Sequence, residues 1–134
     1  MMLILTVVLW GIAPIFDKAG LQGTSPFVGA IFRNASVGVI MIAVALFSGK
    51  TKEIVSMDGR SMTYFILSSI CAGALGVFTY YKALQSAPTS KIVPLASTYP
   101  LITALLSVAF LGESVTLTRF FGIILIICGI LLVK

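Results

Sequence analysis

The chain has 134 residues, of which 59% are hydrophobic and 10% are charged, and it contains no histidine. A soluble domain carries about 25% charged residues, and a soluble chain this short would need enough polar residues to cover its core. The composition excludes an ordinary soluble enzyme and a nucleic-acid-binding domain, and it predicts that lipid surrounds most side chains. The formal net charge of +5 comes mainly from Lys and Arg beside long apolar runs, which is typical of anchors at a membrane surface.

Five apolar runs follow one another along the chain, and a bilayer core needs about 20 helical residues per span. The predicted spans are residues 2–19, 27–47, 62–84, 90–111 and 120–133. Cap and turn residues separate them, for example Thr24-Ser25-Pro26 and Ser48-Gly49. The longest predicted connection, 48–61, is too short to be a domain. The sequence therefore predicts an all-α integral membrane protein, with residues 1–134 forming one domain of five transmembrane helices.

The distribution of basic residues bears on orientation. Four Lys or Arg fall on each side of the predicted membrane, and Arg33 lies within the second span. An even balance permits insertion in both orientations, whereas placing Lys82 and Lys91 inside their helices gives a cytoplasmic N-terminus. We expect a multi-pass protein of the cell (inner) membrane with a cytoplasmic N-terminus, and dual topology stays open.

An odd number of spans has a geometric consequence. Two such units can pair as an inverted repeat, which is how many secondary transporters surround one central site. We therefore expect a homodimer, antiparallel if both orientations occur, or a pair with another five-span homologue.

Polar side chains within the spans point to a pathway, because they are costly in lipid. Trp10 and Asp17 share a face of the first span, with Pro14 beside it. Arg33 lies seven residues after Pro26, and Asp17 is the only acidic residue near membrane depth that can pair with it. We interpret Asp17 as a counter-ion or a proton site.

Further candidates come from the third and fourth spans. The candidate substrate-binding residues are Trp10, Arg33, Tyr80, Lys91, Thr98 and Tyr99. The prolines at which kinks are predicted are Pro14, Pro94 and Pro100. For each of these residues a structural role, without solute contact, stays open. In these alternatives, Lys91 extends its side chain to the membrane interface and Trp10 faces lipid. Tyr80 and Tyr81 belong to an aromatic belt, and the Arg–Asp pair is structural.

Several chemistries have no residues to support them. The sequence contains no Gly-rich phosphate loop, and without histidine it cannot form a catalytic triad or a His-ligated metal site. Cys71 and Cys128 lie in apolar runs and suit packing. We expect no enzyme, no cofactor and no metal, and as partners only membrane lipids, a small-molecule solute and a second five-span chain.

Several motifs in sequence order resemble those of a known family. They include Leu9-Trp10-Gly11-Ile12-Ala13-Pro14, Tyr80-Tyr81-Lys82-Ala83-Leu84, Val93-Pro94, Tyr99-Pro100-Leu101 and Phe110-Leu111-Gly112-Glu113. In this order and spacing, the chain resembles a short, single-repeat, five-span member of the EamA-like branch of the drug/metabolite transporter superfamily. Short members often carry an acidic residue and a lysine after the proline that Pro94 matches, whereas this chain reads Leu95-Ala96-Ser97-Thr98. The resemblance therefore implies no particular substrate or coupling ion.

The resemblance implies a dimeric secondary transporter with a cytoplasmic N-terminus. The function predicted is export or exchange of small metabolites or drug-like solutes by alternating access between two protomers. Two alternatives stay open. One is a subunit of a flippase for lipid-linked head groups, and the other is a non-transporting membrane subunit that requires a partner protein.

Overall fold

The computed structural model describes residues 1–114 and 116–132, and its regular elements there are all helices. They are α1 (Met2–Gly20), α2 (Pro26–Phe47), α3 (Thr51–Val55), α4 (Gly59–Ser86), α5 (Thr89–Ala96), α6 (Tyr99–Leu111) and α7 (Leu117–Leu131). Four stretches are long and apolar enough to cross a bilayer, namely α1, α2, α4 and Thr89–Leu111, and α7 is a shorter apolar helix. The prediction of an all-α integral membrane protein is confirmed.

Helix boundaries differ from the predicted spans where capping residues lie outside the apolar runs. The third span was predicted from residue 62, but α4 begins at Gly59 because Asp58 accepts a hydrogen bond from the Ser61 amide at 3.0 Å. The last helix begins at Leu117 because Thr116 accepts from the Arg119 amide at 3.3 Å. Its predicted end at residue 133 lies outside the described residues, as does Lys134, one of the basic residues assigned above to the two sides of the membrane. The predicted connection 48–61 contains the short helix α3.

The start of α2 follows the predicted cap. The Ser25 side chain accepts a hydrogen bond from the Val28 amide at 3.3 Å, and Pro26 occupies the first turn. Loss of an N-cap costs about 1 kcal/mol. We expect Ser25→Ala to lower the free energy of unfolding by about that amount, measured by thermal or denaturant unfolding in micelles. Ser36→Ala removes only a bond to the Phe32 carbonyl of the same helix and serves as the control; equal stability of the two variants would contradict the prediction.

Asp58 gives stability a pH dependence outside the membrane-spanning segments. The side chain and the amide of Ser61 hold the pKa of the Asp58 carboxyl below its ordinary value of 3.8. A carboxyl whose pKa is lowered on folding contributes stability above its unfolded-state pKa and loses it as the pH falls through the folded-state pKa. As the pH falls through 3.8 and below, we expect the unfolding midpoint of the wild type to decrease by more than that of Asp58→Asn. The asparagine side chain still caps the helix, but it does not titrate. Parallel pH profiles of the two proteins would contradict the assignment.

The fourth predicted span is interrupted rather than continuous. Pro100, in the first turn of α6, has no N–H to donate to the Ala96 carbonyl, and the chain turns at Ser97-Thr98 between α5 and α6. The hydroxyls of these two residues donate instead to the carbonyls of Val93 and Leu95, at 2.9 and 2.8 Å. The predicted fourth span, 90–111, is therefore divided into α5 and α6.

Two compact units make up the chain. In the first, Met1–Ser86, α1 and α2 pack against the last part of α4. Its buried residues are Pro14, Leu21, Ala30, Tyr81 and Leu84. Most of its other large apolar side chains are exposed, as expected where lipid or another membrane helix covers them.

A π-helical segment, Ser69–Gly76, divides α4 into two α-helical parts. Gly76 permits this geometry, since a Cβ at this position would lie 2.7 Å from the Cys71 carbonyl oxygen. The Gly73 carbonyl accepts a hydrogen bond from the Asn34 side chain of α2 at 3.1 Å. Segments of this kind occur often at functional sites.

The second unit begins at Ala87 and contains α5, α6 and α7. Gly112 ends α6 in the left-handed conformation, with φ +66°, and the Glu113 amide donates to the Ser107 carbonyl at 3.2 Å. This is a helix C-terminus that favours glycine, and it lies in the sequence motif Phe110-Leu111-Gly112-Glu113.

Candidate functional site

Three helices of the first unit meet at the carboxylate of Asp17. Arg33 of α2 places its Nε 3.7 Å from Asp17 Oδ1, and Tyr81 of α4 donates its hydroxyl to the same oxygen at 2.5 Å. The Asp17 side chain is 16% exposed and that of Arg33 is 41% exposed. The predicted pairing of Asp17 and Arg33 is therefore present, and Tyr81 from a third helix binds the same carboxylate. We call Asp17, Arg33 and Tyr81 the carboxylate cluster.

Glycine permits the helices to approach closely here. A Cβ on Gly29 would lie 3.3 Å from both Leu21 Cδ2 and Tyr81 Cε2. A distance this short leaves no room for a larger residue unless its neighbours move. Gly29 thus lets the Tyr81 ring lie against α2, where its hydroxyl reaches Asp17.

A second set of bonds fastens the end of α4 to α1 and to the loop before α2. Lys18 donates to the Leu84 carbonyl, and Gln85 donates to the carbonyls of Leu21 and Thr24, at 3.2 and 2.8 Å. The last four carbonyls of any helix have no partner within it, and Leu84 has one of these in α4. The side chain of Lys18 therefore satisfies a carbonyl at the end of α4.

The carboxylate cluster lies towards the membrane surface on the side where α1 ends and α2 begins. Asp17 is three residues from the end of α1, which is about 4.5 Å along the axis. Arg33 is about 10 Å into α2 and extends its long side chain towards Asp17. A charged pair at this depth costs less than one at the bilayer centre.

A cavity of about 490 Å³ opens beside the carboxylate cluster. All three members of the cluster line it, together with apolar side chains such as Val28 and Phe32 and the polar Thr24. The cavity thus presents a carboxylate, a guanidinium and a phenol to whatever enters. This set can exchange ion-pair and hydrogen-bond partners, and in the described residues no group of three or more acidic or cysteine side chains is placed to bind a metal.

The other predicted site residues have different surroundings. Trp10 lies about two turns before Asp17 and is 66% exposed, and Tyr80 is partly buried with its ring centroid 6.4 Å from that of Tyr81. Lys91, Thr98 and Tyr99 belong to the second unit. Lys91 is exposed in the first turn of α5, Thr98 directly precedes α6, and Tyr99 is 57% exposed. Their solute contacts stay predictions.

The predicted prolines all lie within or next to helices. Pro14 is buried within α1, Pro94 is inside α5 and Pro100 is in the first turn of α6. Tyr81 is the residue that sequence reasoning missed as a site residue. The sequence pattern does not single it out, because the apolar Leu84 shares a helical face with Tyr81, three residues before it, and also with Tyr80, four residues before it.

The sequence profile of the EamA-like transporter family matches residues 1–134, the whole chain. The chain belongs to this family. Membership agrees with the motifs in their order along α1, α4, α5 and α6. This EamA protein is thus a multi-pass membrane protein with the general transporter role of the drug/metabolite transporter superfamily.

Relatives of the EamA protein differ in length. An uncharacterized protein of Methanocaldococcus jannaschii is 36% identical over 131 residues, covering 98% of this chain and 92% of the relative. An uncharacterized transporter from the cobO 3′ region of Sinorhizobium sp is 23% identical over 129 residues, covering 96% of this chain and 91% of the relative. An uncharacterized transporter of Archaeoglobus fulgidus is 24% identical over 135 residues, covering 99% of this chain but 47% of the relative. No solved structure matches the chain.

Proposed function

We propose that the protein is a secondary transporter, an exporter or exchanger of small metabolites or drug-like solutes, that works by alternating access between two protomers and performs no reaction on its solute. The observation that carries this proposal is the Asp17 carboxylate shared by Arg33 and Tyr81 on the wall of a cavity. Ionisable side chains within membrane segments are costly, and they commonly mark solute and ion pathways. Family membership supports the general transporter role.

The geometry of Arg33 suits an exchangeable partner. Its Nε lies 3.7 Å from the Asp17 oxygen, which is longer than the 2.7–2.9 Å of a strong charge-assisted hydrogen bond, and its side chain is 41% exposed. A guanidinium has five N–H donors, so donors remain for an anionic, zwitterionic or neutral polar group of the solute. Asp17 keeps its bond from Tyr81 when Arg33 engages the solute, and it is then the site for a proton or a counter-ion.

The remaining predicted residues keep their proposed roles. Trp10 and Tyr80 supply aromatic surface in the first unit. Lys91, Thr98 and Tyr99 supply a cation and hydrogen bonds from the second unit. Each lies in or beside an apolar helix where such a side chain is exposed or partly exposed.

The comparison with relatives supports two such units per transporter. This chain covers nearly all of two relatives but about half of the Archaeoglobus fulgidus transporter, which is long enough for two such units. Two units in opposite orientations form the inverted repeat around which alternating access operates. The proposed assembly is a homodimer in the cell membrane, or a pair with a five-span homologue, with the N-terminus cytoplasmic in at least one copy.

Transport by the purified protein tests the proposal. We expect proteoliposomes to accumulate some members of a panel of anionic, zwitterionic and neutral solutes by counterflow. Arg33→Gln should reduce the initial rate at least about tenfold, the effect expected when about 1.4 kcal/mol of solute interaction is lost. Lys50→Gln is the control, because Lys50 pairs with Glu53 on an exposed helix outside the cavity.

The longer Archaeoglobus fulgidus transporter provides a positive control in the same assay. If it moves solutes from the panel while this protein moves none, the proposal is wrong. If both proteins transport but Arg33→Gln and Lys50→Gln behave alike, transport stands and the role of the carboxylate cluster is wrong.

A further inference from the structure

A second cavity of the first unit, of about 660 Å³, lies away from the carboxylate cluster, between α2 and the π-helical segment of α4. Its walls include Phe27 and Phe78, the aliphatic side chains of Val37 and Leu75, and the polar Asn34 and Ser69. We call this cavity the α2–α4 groove. Its volume falls in the range of about 300–1,000 Å³ that is usual for small-molecule sites.

The groove begins at the level of the carboxylate cluster, at Phe27, and extends past Asn34 to Gly38 towards the middle of α2. Asn34 is eight residues into the 22 residues of α2, about 12 Å from its start, and Ser69 is ten residues into the 28 of α4. Transporters commonly bind their solutes near the bilayer midplane, where helices depart from regular geometry. The π-helical segment is such a departure, and it forms one wall of the groove.

Asn34 offers the groove an acceptor. Its Nδ2 donates to the carbonyls of Ala30, at 2.8 Å, and Gly73, at 3.1 Å, which uses both of its N–H groups. These two carbonyls fix the orientation of the amide, since only the nitrogen can donate to them. Its Oδ1 lies beside Gly73 and accepts no hydrogen bond from the residues that the structure describes. An acceptor in apolar surroundings gains a hydrogen bond when a ligand supplies a donor.

The other walls of the groove favour a flat apolar ring. Phe27 and Phe78 are in edge-to-face contact, with centroids 5.9 Å apart and an interplanar angle of 86°, and both rings line the groove. Aromatic side chains pack well against further rings in offset or edge-to-face geometry. No charged side chain is among the described residues that line the groove, and so an ionised group placed there would lose hydration without a partner.

From this geometry we infer that the α2–α4 groove binds a neutral aromatic ring that carries one N–H or O–H donor, with Asn34 Oδ1 as the acceptor. This inference rests on the proposed function in one respect, that the bound solute is the one transported. The binding itself is independent of transport and is tested without it.

Two probes that differ only in the donor test the inference. The first is 5-fluoroindole, and the second is 5-fluoro-1-methylindole, which has the same ring system but no N–H. Binding to the purified protein in micelles is followed by fluorine NMR, with empty micelles giving the partition of each probe into detergent. We expect the wild type to bind the first probe about tenfold more tightly, the upper range for one net hydrogen bond.

Three variants separate the hydrogen bond from the cavity and from the fold. Asn34→Leu should bind the two probes equally, because the acceptor is lost. Val37→Trp fills the groove but leaves Asn34 in place, and it should bind neither probe. Ser36→Ala, on the same helix but outside the groove, should match the wild type.

Each other outcome overturns the inference. It is wrong if the wild type binds both probes equally, if Val37→Trp still binds them, or if added phospholipid displaces both alike, which would make the groove a lipid contact. Binding with no transport of any panel solute would leave the groove as a site and overturn the proposed function. Transport of solutes without probe binding would support the proposed function and overturn the inference about the groove.

Discussion

Replacing Asp17 with alanine is expected to lower the free energy of unfolding by about 2–3 kcal/mol. The variant loses the charged acceptor of the Tyr81 hydroxyl, and a hydrogen bond to a charged group is worth about 1.5–3 kcal/mol. It also leaves Arg33 without its carboxylate partner. Removing one member of a fully buried pair costs about 3–5 kcal/mol, but Arg33 is 41% exposed, and so screening reduces that contribution.

A double-mutant cycle separates these two contributions. Asp17→Ala and Tyr81→Phe, made singly and together, should show a coupling energy of about 1–2 kcal/mol in denaturant unfolding in micelles, because the two side chains share one short hydrogen bond. The cycle of Asp17→Ala with Arg33→Ala should show less, since the 3.7 Å pair is partly exposed. The order of the two coupling energies reports which partner holds the carboxylate in place.

The Lys50–Glu53 pair is the matched control. Lys50 directly precedes the short helix α3 and Glu53 lies within it, and their side chains are 60% and 69% exposed. Because solvent screens an exposed pair, Glu53→Ala should change the free energy of unfolding by less than about 0.5 kcal/mol. If Asp17→Ala costs no more than Glu53→Ala, the carboxylate cluster contributes nothing to the packing of α1, α2 and α4.

The apolar runs were sufficient to predict the membrane helices, because a lipid environment requires long uninterrupted hydrophobic segments with satisfied backbones. The pair between Asp17 and Arg33 was predictable for a related reason. Only one acid lies near membrane depth, and an arginine there requires a partner. Scarcity of charge thus makes ion pairs in such a chain easier to predict than in a soluble protein.

Packing between helices was harder to predict. Tyr80 and Tyr81 are adjacent, about 100° apart around α4, and hydropathy alone does not say which of them faces α1. The structure buries Tyr81, at 3% exposure, and leaves Tyr80 partly exposed. Nor does an apolar run distinguish the π-helical segment from a regular helix, because the change affects backbone hydrogen bonding while leaving composition unchanged.

The second large effect on the free energy of unfolding is expected from a substitution in the π-helical segment. Gly76→Ala should lower the free energy of unfolding by about 1–3 kcal/mol, the usual cost of forcing extra atoms into a packed position. A Cβ there would lie 2.7 Å from the Cys71 carbonyl oxygen, a backbone atom that cannot rotate away as a side chain does. The backbone of Ser69–Gly76 must therefore shift to accommodate it.

Gly11→Ala in α1 is the matched control, because among the described residues no atom beyond its chain neighbours and the backbone of its own helix lies within 4 Å of a Cβ at this position. Without a clash, alanine in a helix is favoured over glycine by about 0.5–1 kcal/mol, so this variant should be as stable as the wild type or more stable. Both variants are compared by denaturant unfolding in micelles. Because the Gly73 carbonyl binds Asn34, a shift of the segment should also weaken the α2–α4 groove, and Gly76→Ala should bind 5-fluoroindole less tightly than Gly11→Ala. Equal stability of the two alanine variants would mean that the segment accommodates a side chain at Gly76 without changing its hydrogen bonding.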